Sequence, residues 1–211
     1  MNGRTLVAGV RADYDRIAGE YAAHIGGELA GKPGDRRLLD DLARRRSGAG
    51  PVGDLGCGPG HVAAWLRDRK VPVVGVDLSP GMLARAPAGL PVAAGDLLSL
   101  PLADGVLSAA AAFYSLIHLP VGTEPAALAE VRRVLAPGAP LLVAVHVGTE
   151  VRHVQEMWGQ RVSLDFRFFQ VEELTGWMRE ADLRVEDVLE RDHIPGVEVE
   201  TRRAYVRAVR D

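Results

Sequence analysis

The stretch VGDLGCGPGHVAAWL, residues 52–66, decides how this chain folds. It reads as a short apolar strand, a glycine-packed turn and a helix, an arrangement that lets a ligand approach bare backbone. A dinucleotide site is the first comparison, because its fingerprint is G-x-G-x-x-G after a strand. Here the glycines are Gly56, Gly58 and Gly60, and His61 stands where the third dinucleotide glycine belongs. An acid, Asp54, lies two residues before the first glycine. A pyrophosphate seeks helix N–H groups and no nearby carboxylate. Asp54 points instead to a ligand with a cationic group, and an NAD-dependent oxidoreductase becomes the weaker reading.

Downstream of the turn, short apolar runs alternate with helical patterns. VPVVGVDL (71–78) predicts a second buried strand, and Ser79-Pro80 opens a helix as a cap followed by a proline at its first position. LPVAAGD (90–96), GVLSAAAAFYSL (105–116) and LLVAVHV (141–147) predict three more, with the helix TEPAALAEVRRVL before the last of them. Uninterrupted apolar strands separated by helices indicate a parallel sheet covered on both faces. Upstream, Tyr14, Ile17, Tyr21 and Ile25 form a helical stripe over residues 11–30, with Asp13, Arg16 and Glu20 off it. The helix RRLLDDLARRR follows the break at Lys32-Pro33-Gly34-Asp35. In the last third VSLDFRFF alternates in polarity, the helix VEELTGWMREA follows, and LRVEDVLER and RRAYVRAV form a closing hairpin.

Length and composition bound the answer further. The chain has 211 residues, 47% of them hydrophobic and 25% charged, with a net charge of −3. These values suit one ordinary globular domain and show no basic surplus for nucleic acid. No signal-like or membrane-spanning apolar run is present, and the single cysteine, Cys57, permits no intrachain disulfide. The expectation is a soluble cytoplasmic protein, monomer or homodimer, with neither nucleic acid nor membrane as partner.

The carboxyl ends of the predicted strands carry the chemistry. Asp77 ends the second strand, where a carboxylate can accept two hydrogen bonds from a ribose diol. Leu78 and Met82 stand beside it to sandwich a purine, and Asp96 ends the third strand, placed to meet the purine's exocyclic amine. An adenosine with a cationic, phosphate-free tail satisfies all of these residues. S-adenosylmethionine is such a molecule.

Five motifs in order then resemble the class I S-adenosylmethionine-dependent methyltransferases, in their small-molecule "methyltransferase domain" (type 11-like) branch. They are DLGCGPG (54–60), VVGVDLSPGML (73–83), AAGDLLSLPL (93–102), AFYSLIHL (112–119) and VRRVLAPGAPLLVAVH (131–146). The resemblance implies a Rossmann-like α/β/α sandwich with a seven-stranded, mostly parallel sheet, its last strand antiparallel, plus N-terminal helices. It implies one domain organised as an N-terminal helical lid (1–48), a cofactor core (50–147), an insertion and helix (148–180) and a C-terminal hairpin (183–211). It also implies methyl transfer to a small-molecule acceptor through an oxygen, nitrogen or carbon nucleophile. Cofactor contacts are expected from Asp54, Gly56, Cys57, Gly58, Gly60, Asp77, Leu78, Met82, Asp96, Leu97 and Tyr114, with Tyr14 and Tyr21 closing from the lid. Where relatives often read Phe-Asp and Gly-Gly, this chain has Leu107-Ser108 and Gly138-Ala139, both away from the expected site. Some relatives keep the cofactor and catalyse a cyclisation or rearrangement, which is the alternative reading.

His118 and His146 follow the fourth and fifth strands, where an imidazole can act as general base. The six histidines and Cys57 show no metal-ligand spacing, so no metal is expected. Trp158, Phe166, Phe168, Phe169 and Trp177 concentrate in the insertion and its helix, as a cap over the acceptor or as a satellite core.

Overall fold

In the computed structural model, which describes residues 3–211, the predicted strand-helix alternation forms a single seven-stranded sheet. β1 (Val52–Leu55), β2 (Val73–Asp77), β3 (Val92–Ala94), β4 (Ala109–Phe113) and β5 (Pro140–His146) run parallel. β8 (Leu183–Arg191) and β9 (Arg203–Arg210) complete it in the order β3-β2-β1-β4-β5-β9-β8. β9 alone runs against the direction of the other six strands. The chain winds outward from β1 to β3 and then crosses to β4 on the other side of β1. That reversal leaves a crevice at the carboxyl ends of β1 and β4, the place where ligands bind in open α/β sheets.

Residue parity along the strands sorts the two cores. Leu141, Val143 and Val145 of β5 face α5 (Glu124–Val134) and α6 (Val171–Glu180), whereas Leu142 and Ala144 face α2 (Pro33–Arg44) and α3 (His61–Asp68). Both faces are covered, so the strand carries no polar residue until His146, and each buried aliphatic side chain contributes about 1.5–3 kcal/mol.

The structure differs from the sequence reading in four places. α1 runs from Gly3 to Ile25, and Glu28–Gly31 form a separate 3-10 turn in place of a continuous helix to residue 30. α2 starts at Pro33, because a proline at the first helical position begins a helix instead of breaking it. β4 is only Ala109–Phe113, since Gly105 to Ser108 serve as a turn that pairs Leu107 with Leu135. The insertion is a hairpin of β6 (Val151–Met157) and β7 (Gln160–Arg167), and β6 has no sequence counterpart above. Its residues are mostly polar and solvent-facing, so no apolar alternation marks it; the signal was the turn Trp158-Gly159, both at positive φ (50° and 76°) as two-residue hairpins require.

This hairpin lies on α1. Val162 and Leu164 of β7 pack with Ile17 and Ala18 of α1 and with Met82 of α4 (Pro80–Leu83). Asp13, expected on a solvent-facing side, is buried there because its Oδ2 accepts from the Ser163 N–H at 2.8 Å. Arg16 pairs with Asp13 and donates to the Arg161 carbonyl at 2.9 Å. The insertion aromatics divide accordingly. Trp158 and Phe166 join the α1 cluster, while Phe169 is buried in the main core with Trp177 against it. They form no single cap.

Candidate functional site

A cavity of about 110 Å³ opens at the crevice between β1 and β4, roofed by α1. Gly56 and Gly58 of the glycine turn, Asp77 of β2, and Leu78 and Met82 after it form one side. Asp96 and Leu97 line it as well, with Tyr114 and His118. Tyr14 and Tyr21 cover it from α1, their rings edge-on with centroids 5.8 Å apart. Asp54, Cys57, Gly60 and His146 do not reach its wall.

The three glycines of the turn do different work. All have positive φ, but a Cβ on Gly56 would lie 2.2 Å from the Ser115 Cβ, and one on Gly60 would lie 2.6 Å from Leu90 Cδ2. Those two glycines admit neighbouring protein. A Cβ on Gly58 would face only Tyr21, 3.8 Å away, so its missing side chain leaves room in the cavity itself.

Asp54 holds the helix that follows the turn. α3 has Gly60 at its N-cap, which offers no side chain, and the Asp54 carboxylate accepts from the Ala63 N–H at 2.9 Å in its place. Burial pushes the Asp54 carboxyl up to about 6, with His61 and the Ala63 bond working the other way. Cys57 packs against Gly75, and burial pushes its thiol up, away from nucleophilic use.

Asp77 braces the same wall. Its Oδ2 accepts from the Gly58 N–H at 2.7 Å and its Oδ1 from the Ser79 N–H at 2.8 Å. Burial raises its carboxyl above the usual range against the lowering effect of those two bonds. Further acceptor capacity on both oxygens remains for a ligand diol. Asp96 accepts from the Leu98 N–H at 2.9 Å, which fixes the turn after β3.

The two histidines separate. His118 lies in a short 3-10 turn after β4, and its Nδ1 donates to the Asp165 carbonyl at 2.9 Å while its Nε2 accepts from the Tyr14 hydroxyl at 2.6 Å. Burial pushes its pKa down to about 4. His146 lies behind Tyr114, rings 4.8 Å apart, with Nδ1 bonded to Thr201 Oγ1 at 2.9 Å. Burial first, and then the charge of Arg203, push it down to about 4 as well. Both imidazoles are neutral at physiological pH. Tyr114 holds a strained positive φ of 53° between them, and burial raises its phenol to about 12.

α1 carries a latch that sequence reading missed. The Asp15 carboxylate on α1 accepts from Ser79 Oγ at 2.6 Å and from the Gly81 N–H at 2.7 Å. The signal was available, since Asp15 lies one residue from the Tyr14 stripe, but its partners are 64 and 66 residues away. Pockets for drug-sized ligands span roughly 300–1,000 Å³. At about 110 Å³ the cavity beneath α1 is smaller than these.

Fold and site together define a Rossmann-like α/β protein whose switch-point cavity carries acids, apolar walls and one open glycine. Residues 52–138 match the family described as a methyltransferase domain. With the strand order and the cavity, that match makes the chain similar to the class I methyltransferases whose cofactor is S-adenosylmethionine. It is 30% identical over 160 residues to a malonyl-[acyl-carrier protein] O-methyltransferase of Serratia marcescens, covering 72% of this chain and 58% of that one. A demethylmenaquinone methyltransferase of Beutenbergia cavernae is 40% identical over 112 residues, covering 52% and 45%. The chain thus spans about half the length of the curated relatives it matches. In fold it is similar to a solved S-adenosylmethionine-dependent methyltransferase of Thermotoga maritima, described as a possible histamine N-methyltransferase, with a TM-score of 0.70 at 21% identity over 95% of this chain and 99% of that one.

The donor set fits that cofactor. The Gly58 space leaves room for a ligand tail, Asp77 has acceptors to spare for a ribose diol, and Leu78, Met82 and Leu97 offer apolar faces to a purine. Among the described residues no group of three metal-ligating side chains converges, and no helix is long and apolar enough to cross a membrane.

Proposed function

We propose that this chain binds S-adenosylmethionine in the β1/β4 cavity and catalyses transfer of its methyl group to a small-molecule acceptor in the cytoplasm. In this reading Asp77 holds the ribose diol, Leu78, Met82 and Leu97 enclose the adenine, and Asp96 meets its amine. The backbone of Gly56 and Gly58 borders the tail, and Tyr14, Tyr21 and Tyr114 exclude water around it. Asp54, Cys57 and Gly60 support the turn from behind. The bound cofactor supplies an electrophilic methyl on a sulfonium, already a good leaving group. The protein's contribution is then mainly to hold the acceptor in line, as proximity and orientation effects provide. His118 faces the acceptor, and His146 positions Tyr114.

The observation that carries this reading is the convergence of Asp77, Asp96 and the open Gly58 on one cavity. Relatives named for malonyl-[acyl-carrier protein] and demethylmenaquinone support a small acceptor group. Thermal unfolding with added ligand tests the proposal. S-adenosylmethionine or S-adenosylhomocysteine at a hundred times its Kd should stabilise the fold by about 2.7 kcal/mol, while NAD leaves it unchanged. A response to NAD alone rejects it.

A further inference from the structure

His118 belongs to two cavities. Beyond the Tyr14–His118 pair, a second cavity of about 260 Å³ lies between α1, the 3-10 turn of His118 and β7. It shares Val10, His118 and Leu119 with the first. Its lining includes Val121 and Val151, which are 78% and 53% exposed and so reach solvent.

The charges in its wall already have partners. Asp13 is held by Ser163 N and Arg16, Arg167 pairs with Glu124, and the Asp165 carboxylate receives His153 at 2.7 Å. The one polar group turned toward both cavities is the imidazole of His118, with Nδ1–H committed to the Asp165 carbonyl. Its Nε2 can therefore only accept a hydrogen bond. At present it accepts one from an aryl hydroxyl, that of Tyr14.

We propose that the second cavity is the acceptor subsite, and that it takes a neutral hydroxyl on an apolar body, the hydroxyl replacing the Tyr14 phenol on His118 Nε2. The body lies along Val10 and Leu119 and leaves between Val121 and Val151. A carboxylate is rejected, because a neutral imidazole offers it no proton and each cation in the wall is already paired. Displacing Tyr14 also opens the partition, so the acceptor oxygen reaches the first cavity only as the lid phenol leaves. The subsite rests on the methyl-transfer reading above, but its occupancy is measurable without turnover.

Gly9 supplies the test. It lines only the second cavity, and a Cβ there meets nothing within 4 Å. Gly9→Leu fills the space and favours the helix. Fluorescence titration with 2-naphthol should show saturable binding that falls at least tenfold in Gly9→Leu and rises several-fold in Tyr14→Phe, where the competing phenol hydroxyl is gone. In ¹⁵N-labelled protein, 2-naphthol should move the His118 Nε2 resonance while Nδ1 stays protonated. 2-Naphthoate should bind at least tenfold more weakly than 2-naphthol. Equal 2-naphthol affinity in Gly9→Leu and wild type, or preference for 2-naphthoate, overturns the subsite. S-adenosylhomocysteine affinity is titrated alongside. If it is absent in wild type, the methyl-transfer reading fails while the naphthol result stands. If it is normal and naphthol gives no response, the subsite alone fails.

Discussion

Replacing Asp54 by asparagine should change how stability depends on pH. Asp54 is 2% exposed and its carboxyl is pushed up to about 6 from 3.8. The folded protein therefore holds that proton more tightly than the unfolded chain does. The stabilisation this gives is fully present below about pH 3.8 and is lost as pH rises through about 6. At about 1.4 kcal/mol per pH unit, the loss between pH 4 and 8 is about 3 kcal/mol. Asparagine keeps a carbonyl for the Ala63 N–H but carries no charge, so it avoids that loss. Its buried amide adds a cost of about 1–3 kcal/mol, which is the same at every pH. The quantity to read is therefore the slope of the difference. Urea unfolding of both proteins at half-unit steps from pH 4 to 8 gives it directly. The stability of the Asp54→Asn variant minus that of wild type should climb by roughly 2–3 kcal/mol across that range. Parallel curves would show that burial does not raise the Asp54 carboxyl, and this reasoning would fall.

Three further outcomes test the site. Gly58→Asn tolerates the positive φ of 54° but places a side chain beneath Tyr21, so S-adenosylhomocysteine affinity should fall on the order of a hundredfold with unfolding temperature nearly unchanged; calorimetric titration reads the first and a thermal scan the second. Asp77→Ala should weaken that binding by about 2–4 kcal/mol and also lower the unfolding temperature of the free protein by about 4–16 °C, since Gly58 and Ser79 lose their acceptor; unchanged affinity would remove Asp77 from the ribose. Limited proteolysis at the exposed Gly26-Gly27 should slow when S-adenosylhomocysteine is added and speed up several-fold in Asp15→Ala, where the latch to Ser79 and Gly81 is gone; identical cutting in all three would mean that α1 never lifts.

Much of this was legible in the sequence because it is local. Uninterrupted apolar strands, a glycine turn behind an acid, and Ser79-Pro80 after Asp77 each report on a few adjacent residues. Their order along the chain is enough to specify a parallel sheet and the strand ends where a ligand binds. The cavity wall at Gly58, Asp77, Leu78, Met82 and Asp96 follows from that order alone.

What the tertiary structure decided is which way buried groups turn and what they meet. Gly56 and Gly58 look alike in sequence, yet Ser115 claims the space beside one and leaves the other open. Asp54 suits a cation on paper, but α3 starts with a glycine cap and takes its carboxylate. His118 and His146 occupy equivalent strand ends, and only the packing of α1 and β7 gives His118 a phenol on one nitrogen and a carbonyl on the other. The polar strand β6 formed because β7 paired with it across Trp158-Gly159, a contact no apolar period announces. Patterns of burial are written along the chain at fixed spacing. Partners of buried polar groups lie tens of residues apart, and only the folded backbone brings them within hydrogen-bonding distance.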